Sequence, residues 1–506
     1  MKQKLVNFFE ATGLTWFVPI TRLIAGEDPG EQCKNIAKML GYPAIAMTLF
    51  FTTWGYLSTK IKTSVGALPS PSYVWSQAGA MWDTHNSETI RKSESQGLEE
   101  TRQEFNELVT KRRDLEASNS STEAIDKKLT ALLESTKKKI DAYTPLIESN
   151  EKVKNEAEKV KAEEIAAIRK KYVDAKDYDI GEDGKAKVDV DGNPKLSTKA
   201  LDEINYNNNF RVAVYEGNLV EVYKSIQGSY KSLVNKVERI EKYTAIAREL
   251  ASVTPTTGHD KKVAANDKKR SAFEKQIAKP VEYQGNGSII DYIQLSIITV
   301  IFGFFLAAFV AIPLGVVCGL SPAIMTALNP LIQTFRPVSP LAWVLITIQV
   351  IDGIFVGDNA LTGDILKNTF LHAGITVALC SLWATLSNTA LGVSSVDPDH
   401  MNVAKVLKLN WFDRIFKIII PSAIPYIFTG LRITLGVGWM VLIVSEMMAT
   451  SRGLGWYIDQ EYQNNKVESL ANIIVCIFII GLIGFVLDRI MYVLQKLVSF
   501  NDEVSA

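Results

Sequence analysis

The chain has 506 residues, 22% of them charged, and equal numbers of acidic and basic side chains. Zero net charge gives no reason to expect a nucleic-acid partner. The averages resemble those of a soluble protein, but most charged residues lie between positions 85 and 285, which leaves the remainder strongly apolar. Four scattered cysteines without paired spacing argue against a disulfide or metal framework.

The N-terminal part predicts a membrane-associated segment and then a first membrane span. Residues 1–35 contain spaced aromatic and aliphatic side chains that favour a cytoplasmic, interfacial helix; a loosely packed tail is the alternative. Residues 36–57 are long enough to cross about 30 Å of hydrocarbon, so we predict a transmembrane helix there. Lysines and an arginine precede this span and place its N-terminal side in the cytoplasm.

Residues 58–288 should then lie outside the inner membrane, and about 90–280 of them form a charged insertion. Apolar residues recur there at heptad-like spacing, which predicts helices that fold back as an antiparallel coiled coil. A turn-rich stretch, Asp179 to Pro194, favours a small hairpin between them. The insertion is either a solvated spacer or a surface for a partner. The spaced apolar residues are Leu98, Phe105, Leu108, Leu115, Val222, Ile226, Leu233, Val237 and Ile240.

Residues 289–496 predict five further spans, and 497–506 a cytoplasmic tail. The second of these spans is interrupted late by Asp352. Six spans in total return both termini to the cytoplasm, together with a basic loop at 397–421. The predicted spans are Ile289–Leu320, Pro337–Val356, Asn368–Leu391, Ile424–Met447 and Leu470–Leu494.

A polar stretch, Asp397 to Pro425, lies between two of these apolar runs and predicts a short helix, a turn and a second helix. Asp397-Pro398-Asp399 has the composition of a helix start, and the period breaks at Asn410 to Asp413. The second helix is expected to stop at Pro421. With membrane-length neighbours on both sides, the exposed face of this pair needs a partner outside the chain.

This stretch resembles the coupling loop of type I ABC-importer permeases, whose pattern is roughly E-A-A-x-x-x-G followed by a proline. Ala404 and Pro421 fit, Asn402-Val403 replaces the usual E-A, and Lys408 stands where many relatives have glycine. Further matching stretches make the chain similar to the nitrate branch of the nitrate/sulfonate/bicarbonate permeases. They are TSVGALPSPSYVW, NPLIQTFRPVSPLAW, SLWATLSNTALGV, YIFTGLR, GVGWMVLIVSEMMA and GLGWYI.

The resemblance implies an all-α polytopic membrane protein of about six transmembrane helices, the type I ABC permease fold, carrying a large helical, coiled-coil-like extracytoplasmic insertion. It implies docking of the 397–421 loop on cytoplasmic ABC ATPase subunits, a periplasmic or lipid-anchored substrate-binding protein, a permease homodimer, and a lipid environment in the bacterial inner membrane. The residues expected at the ATPase contact are Val403, Ala404, Lys405, Val406, Leu407, Lys408 and Pro421.

Motifs for catalysis are absent from the sequence. There is no GxxxxGK[ST] phosphate loop, no GxSxG elbow and no HExxH, and the four histidines lack metal-ligand spacing. We therefore expect a transporter subunit and not an enzyme, with no catalytic residue, cofactor or metal, and ATP hydrolysis in a separate subunit.

Two groups of side chains are candidates for the transport pathway. Arg432 and Glu446 are ionisable residues on one predicted span; Arg432 is expected to attract an anion, pair with a carboxylate or reach headgroups, and Glu446 to serve structure or gating. Uncharged polar groups at membrane depth suit a small, weakly hydrated anion, but also suit hydrogen bonds between helices. They are Ser339, Trp343, Ser387, Asn388 and Thr389.

The function that these features predict is ATP-driven import of nitrate or nitrite by alternating access. Bicarbonate, cyanate or a sulfonate such as taurine are alternatives within the same mechanism. A membrane sensor is a distant alternative, because the chain has further spans and a coupling motif where a receptor needs a soluble signalling domain.

Overall fold

The computed structural model describes residues 18–24, 29–63, 66–175, 208–253, 258–281, 285, 287–355, 370–449 and 451–498. These residues are almost entirely helical, which confirms the predicted all-α class; the exception is a two-residue antiparallel pair in which Lys62 is opposite Ala67 and Thr63 is opposite Gly66. The chain divides into two compact units, residues 78–288 and the remainder.

Sixteen helices are described, and the chain order of their bounds positions everything below. Two short π-helical segments, Ala37–Gly41 and Ile415–Ile419, join neighbouring helices. The helices are α1 (Val18–Ile24), α2 (Pro29–Ile36), α3 (Tyr42–Lys60), α4 (Pro71–Ala117), α5 (Glu123–Asp174), α6 (Asn208–Ser252), α7 (His259–Ala278), α8 (Ile289–Leu320), α9 (Pro322–Phe335), α10 (Pro340–Phe355), α11 (Phe370–Ser394), α12 (Pro398–Val406), α13 (Trp411–Arg414), α14 (Ile420–Met448), α15 (Leu454–Asn464) and α16 (Val467–Val498).

The number of apolar spans differs from the six predicted. Among the described residues, four helical stretches are long and apolar enough to cross a membrane, or five if one bent pair counts as a single span. Helix α3, within the first predicted span, is less apolar and is not among them. The span at residues 36–57 therefore remains a prediction. The four stretches are Ile289–Leu320, Leu371–Ser394, Trp411–Met448 and Glu468–Val498.

The span predicted at Pro337 to Val356 is wrong in form. The chain instead makes α9 and α10, which meet at an angle of 99°. Pro337 and Pro340 lie three residues apart at the bend, and each disfavours helical backbone in the residue before it. Ser339 then caps α10, since its hydroxyl accepts a hydrogen bond from the Leu341 N–H at 3.3 Å.

Helices α8 and α11 pack closely along a stripe of small residues that recurs every four positions. A Cβ added at Gly303 would lie 2.7 Å from the Gly374 carbonyl oxygen, and one at Gly319 would lie 2.7 Å from the Ala390 carbonyl oxygen. Small residues let membrane helices approach to backbone contact. The stripe consists of Gly303, Ala307, Ala311, Gly315 and Gly319.

The expectation that glycines in the spans serve close packing holds for this stripe and for Gly438, whose added Cβ would lie 3.1 Å from Val377 Cγ1. It is wrong for Gly436, where an added Cβ would meet nothing within 4 Å. Gly436 is exposed in the chain.

Residues 78–288 form a separate helical unit with its own core. The apolar positions picked out by their heptad spacing are buried there, apart from Leu108 and Leu115, which are partly buried. The core also takes Leu129, Ile140 and Tyr143 from α5, so helices α4 to α7 share it. This corrects the expected two-helix coiled coil, because α5 supplies a full face of its own. The hairpin predicted at Asp179 to Pro194 lies outside the described residues.

A charged network holds one end of this unit together. The Arg112 side chain is fully buried, and its guanidinium donates to Glu241 and to the Thr244 hydroxyl at 3.1 Å. Asp126 lies 3.5 Å from the same guanidinium. Loss of one partner from such a buried pair leaves an uncompensated charge, which costs about 3–5 kcal/mol.

Candidate functional site

The helix of the 397–421 loop begins as the sequence predicts. In α12 the Asp397 carboxylate accepts a hydrogen bond from the Asp399 N–H at 2.8 Å, and Pro398 occupies the first turn. Such a start satisfies backbone donors that have no partner within the helix. The loop thus presents a short, well-defined helix between two apolar stretches.

This helix ends in a tight turn despite the missing glycine. Lys408 has φ of 48°, in the left-handed region, and the Leu409 N–H donates to the Ala404 carbonyl at 3.1 Å. This is the Schellman arrangement, which usually takes glycine at the left-handed position. The family glycine position is therefore filled here by a lysine in the glycine-like conformation, at a backbone cost of about 1–2 kcal/mol.

The predicted stop at Pro421 is wrong. Trp411–Arg414, the π-helical Ile415–Ile419 and α14 form one continuous helical stretch that runs through Pro421. Proline is tolerated in the first turn of a helix, where its missing N–H has no helical acceptor to serve. The wider π-helical turn just before it supplies the local adjustment that an interior proline requires.

The apolar side chains of the loop divide into a buried and an exposed set. Ala404 is only 2% exposed, so it packs against its own chain, whereas Val406 and Leu407 are 81% and 63% exposed. Three aromatic side chains just after the turn are each more than half exposed as well. We call this exposed set the coupling patch: Val406, Leu407, Trp411, Phe412 and Phe416.

The coupling patch extends the contact predicted from the sequence. Its aromatic members were not singled out, although aromatic side chains on a polar loop are a recognisable sign of a binding surface. Lys408 is exposed beside the patch, while nothing is described for the side chains of Val403 and Lys405. Below the patch, Ile415 and Ile419 are buried with Val316 of α8 and Val393 of α11, which anchors the loop to two spans.

Glu446 is fully buried in a set of hydrogen bonds. Its carboxylate accepts from the Ser296 hydroxyl at 2.7 Å and from the Gly455 N–H at 2.9 Å, while Ser296 accepts from the Leu454 N–H at 2.9 Å. The clamp ties α8, α14 and the start of α15 together. This geometry fits the structural role expected of Glu446 and leaves its charge facing donors, away from a pathway.

The clamp also explains the glycines of the GLGW motif. A Cβ at Gly453 would lie 2.1 Å from a Glu446 carboxylate oxygen, and one at Gly455 would lie 2.2 Å from the Ile443 carbonyl oxygen. The sequence analysis quoted this motif without connecting it to Glu446. An acidic residue deep in a span needs nearby donors, and a glycine-rich turn is a source of free N–H groups.

Arg432 is paired with a carboxylate, which was one of the three alternatives. Its guanidinium donates to both carboxylate oxygens of Asp488 on α16, at 2.7 and 2.9 Å, and lies over the Tyr492 ring at 5.5 Å. The pair borders a cavity of about 240 Å³ with Gly436 and Trp439. Asp488 was not singled out, although Arg432 on a span requires a counter-charge.

The uncharged candidates occupy different places. Asn388 donates to the Ala384 carbonyl of its own helix at 2.8 Å, and Ser387 is half-buried beside it. The Thr389 hydroxyl is buried against the position of Gly315, without a hydrogen-bond partner among the described residues. Ser339 caps α10, as described above, and is exposed.

Trp343 belongs to an aromatic group that the sequence did not reveal. The Phe335 ring lies between the rings of Trp343 and Trp383, with centroid distances of 5.7 and 6.2 Å. Both indole N–H groups are buried and lack an acceptor within the described part of the chain. Buried donors without partners are uncommon and call for an explanation.

Comparison with known proteins adds a family to this geometry. Residues 311–500 match the family described as "Binding-protein-dependent transport system inner membrane component". The chain is 36% identical to a nitrate import permease of Synechococcus elongatus over 207 residues, which cover 41% of this chain and 69% of that protein.

Two further relatives have other printed substrates. A bicarbonate transport system permease of Synechocystis is 39% identical over 198 residues, 39% of this chain and 64% of that protein. A taurine transport system permease of Escherichia coli is 31% identical over 223 residues, 43% of this chain and 74% of that protein. More than half of this chain thus lies outside each of these alignments.

Proposed function

Because the chain belongs to the binding-protein-dependent ABC importer permeases, in the family that handles nitrate, bicarbonate and sulfonates, we propose that it carries nitrate or nitrite inward across the bacterial inner membrane. It is a permease subunit and not itself an enzyme, and its family implies separate ATPase and substrate-binding partners. Two copies form the pathway, embedded in lipid, with the residue 78–288 insertion facing the periplasm.

The coupling patch is the observation that carries the mechanism. It exposes apolar side chains on a loop that is anchored below to α8 and α11 through Ile415 and Ile419. A partner that grips the patch and moves can therefore pull on two spans at once. Docking of a cytoplasmic ATPase at this surface is how ATP hydrolysis would drive the inward and outward states.

The preference for a small monovalent anion is supported by how charge is distributed in the apolar helices. Arg432 is neutralised by Asp488, Asp352 lies 3.1 Å from His372, and Glu446 is held by donors. What the described helices offer instead are neutral donors, including the buried N–H groups of Trp343 and Trp383. Neutral donors bind an anion weakly enough to release it, as a transport pathway requires.

The substrate is tested by uptake. A strain that lacks this gene should take up labelled nitrate more slowly at low external concentration, and re-expression of the chain should restore the rate. Labelled bicarbonate and taurine serve as parallel substrates. Unchanged nitrate uptake together with loss of bicarbonate or taurine uptake would assign the permease to one of those anions.

The Trp343 and Trp383 donors are tested by removing their N–H groups while keeping the aromatic packing around Phe335. We expect the double variant Trp343→Phe/Trp383→Phe to raise the KM for nitrate about tenfold, since each lost hydrogen bond is worth about 0.5–1.5 kcal/mol. Trp439→Phe is the matched control, because the Trp439 indole already donates to the Ile480 carbonyl at 3.1 Å. An unchanged KM in the double variant would remove the two tryptophans from the pathway.

A further inference from the structure

The largest cavity described for this chain lies inside the residue 78–288 unit and has no role in the mechanism above. Its volume is about 580 Å³, within the range of about 300–1,000 Å³ that is typical of small-ligand sites. Helices α4 and α6 and the chain just after α7 form its walls. The cavity therefore belongs to one compact unit and needs no second domain to complete it.

The lining is basic and rich in hydroxyl groups. It holds four cationic side chains and four serines, and none of its described residues is acidic. Apolar side chains from the core of the unit line it as well, among them Leu98, Ile226 and Leu233. The polar lining residues are Arg91, Ser95, Arg102, Ser225, Ser229, Ser232, Lys236, Gln276 and Lys279.

One of the four cations is committed to building the wall. The Arg102 guanidinium pairs with Glu99, donating to it at 2.7 Å, and also donates to the Ile277 carbonyl. Glu99 in turn accepts from the Val281 N–H at 3.0 Å. The hydrogen bond from Arg102 lowers the pKa of Glu99 to about 2, so the pair stays ionised at every physiological pH. It fastens the segment after α7 onto α4.

The other cations are available to a ligand. Neither Lys236 nor Lys279 has a carboxylate within ion-pair distance among the described residues. Arg91 has Glu88 at 3.5 Å through one terminal nitrogen, while its buried Nε lacks an acceptor in the described chain. Two uncompensated ammonium groups and a partly free guanidinium around one cavity favour a ligand of more than one negative charge.

We propose that this cavity binds a small-molecule anion that carries two or more negative charges, as phosphate or carboxylate groups on a short carbon body. The charged groups meet Lys236, Lys279 and Arg91, and the carbon body lies on Leu98 and Ile226. Nitrate is a poor fit, because one negative charge leaves a lysine uncompensated and three oxygens leave most of the volume empty. The site is therefore separate from the transported anion and gives the insertion a ligand of its own.

The test uses the purified full-length chain in nanodiscs of zwitterionic lipid, titrated calorimetrically at low salt with citrate, inorganic phosphate and nitrate. We expect citrate or phosphate to bind at least about tenfold more tightly than nitrate. Lys236→Ala/Lys279→Ala should weaken that binding by about tenfold or more, since it removes both uncompensated charges. Raising the salt concentration should weaken it further.

The matched control is Lys261→Ala/Lys268→Ala, which removes two exposed lysines of the same unit that do not line the cavity. Binding in this control should equal that of the unaltered chain. The proposal fails if neither citrate nor phosphate binds, if nitrate binds as tightly as they do, or if the control loses as much affinity as the cavity variant.

Discussion

Replacing Gly455 with alanine should remove nearly all folded permease from the membrane. The new Cβ would lie 2.2 Å from the Ile443 carbonyl oxygen and 2.9 Å from Glu446 Cβ. Because the first of these atoms belongs to the backbone, no side-chain rotation relieves the clash. The start of α15 would have to move away, and the Gly455 N–H would then leave the buried Glu446 carboxylate. Overpacking and the lost charged hydrogen bond together should cost about 3–5 kcal/mol.

The measurement is the amount of full-length protein in isolated membranes, with its elution profile and melting temperature in detergent. Gly436→Ala is the control, since it adds the same methyl group on α14 where nothing lies within 4 Å. This control should accumulate and melt as the unaltered chain does. Normal accumulation of Gly455→Ala would mean that the clamp around Glu446 is not needed for the fold.

Replacing Leu407 with aspartate should abolish ATP-driven uptake while the protein still reaches the membrane. Leu407 is 63% exposed at the centre of the coupling patch, so the change costs little within the chain. In a complex with an ATPase, the same carboxylate would be buried against apolar groups without a partner, which is strongly unfavourable. We expect the affinity for the ATPase and the uptake rate to fall about a hundredfold.

Co-purification of the ATPase with tagged permease measures the first effect, and labelled-anion uptake measures the second. Leu407→Met keeps an apolar side chain of similar volume and should behave as the unaltered chain. Full ATPase recovery with Leu407→Asp would show that the partner binds elsewhere on the chain.

Ala404 shows where sequence reasoning about this loop reaches its limit. The family pattern identifies the helix, and spacing identifies its apolar positions, but neither says which face packs inward. In the structure Ala404 is buried against its own chain, and the exposed face passes through Val406 and Leu407. Ala404→Asp would therefore disturb the fold of the loop as well as any docking, which makes Leu407 the better probe.

The insertion shows a similar division. Heptad spacing correctly found Phe105, Val222 and Ile240 as core residues, because a buried stripe leaves a periodic trace in the sequence. The fourfold sharing of that core left no such trace, since α5 is mostly polar and its apolar positions are diluted by lysine and glutamate. The cavity was equally invisible, because Lys236 and Lys279 lie 43 positions apart in sequence and meet only through folding.

Polar contacts within the apolar helices were predictable in kind but not in partner. An arginine on a span requires a counter-charge and a glutamate requires donors, yet nothing in the spacing pairs Arg432 with Asp488 or Glu446 with Ser296. The bend at Pro337 and Pro340 was foreseeable from proline chemistry alone. The apolar composition around it masked that signal.

The central claim is that this chain moves nitrate only when a separate ATPase acts on it. The most direct measurement is the accumulation of labelled nitrate in proteoliposomes that contain the purified chain and its ATPase, with ATP enclosed and the binding protein outside. The account predicts accumulation that disappears when ATP, the ATPase or the binding protein is omitted, and that fails with Leu407→Asp. Nitrate accumulation by the chain without the ATPase, or at the same rate without ATP, would contradict it.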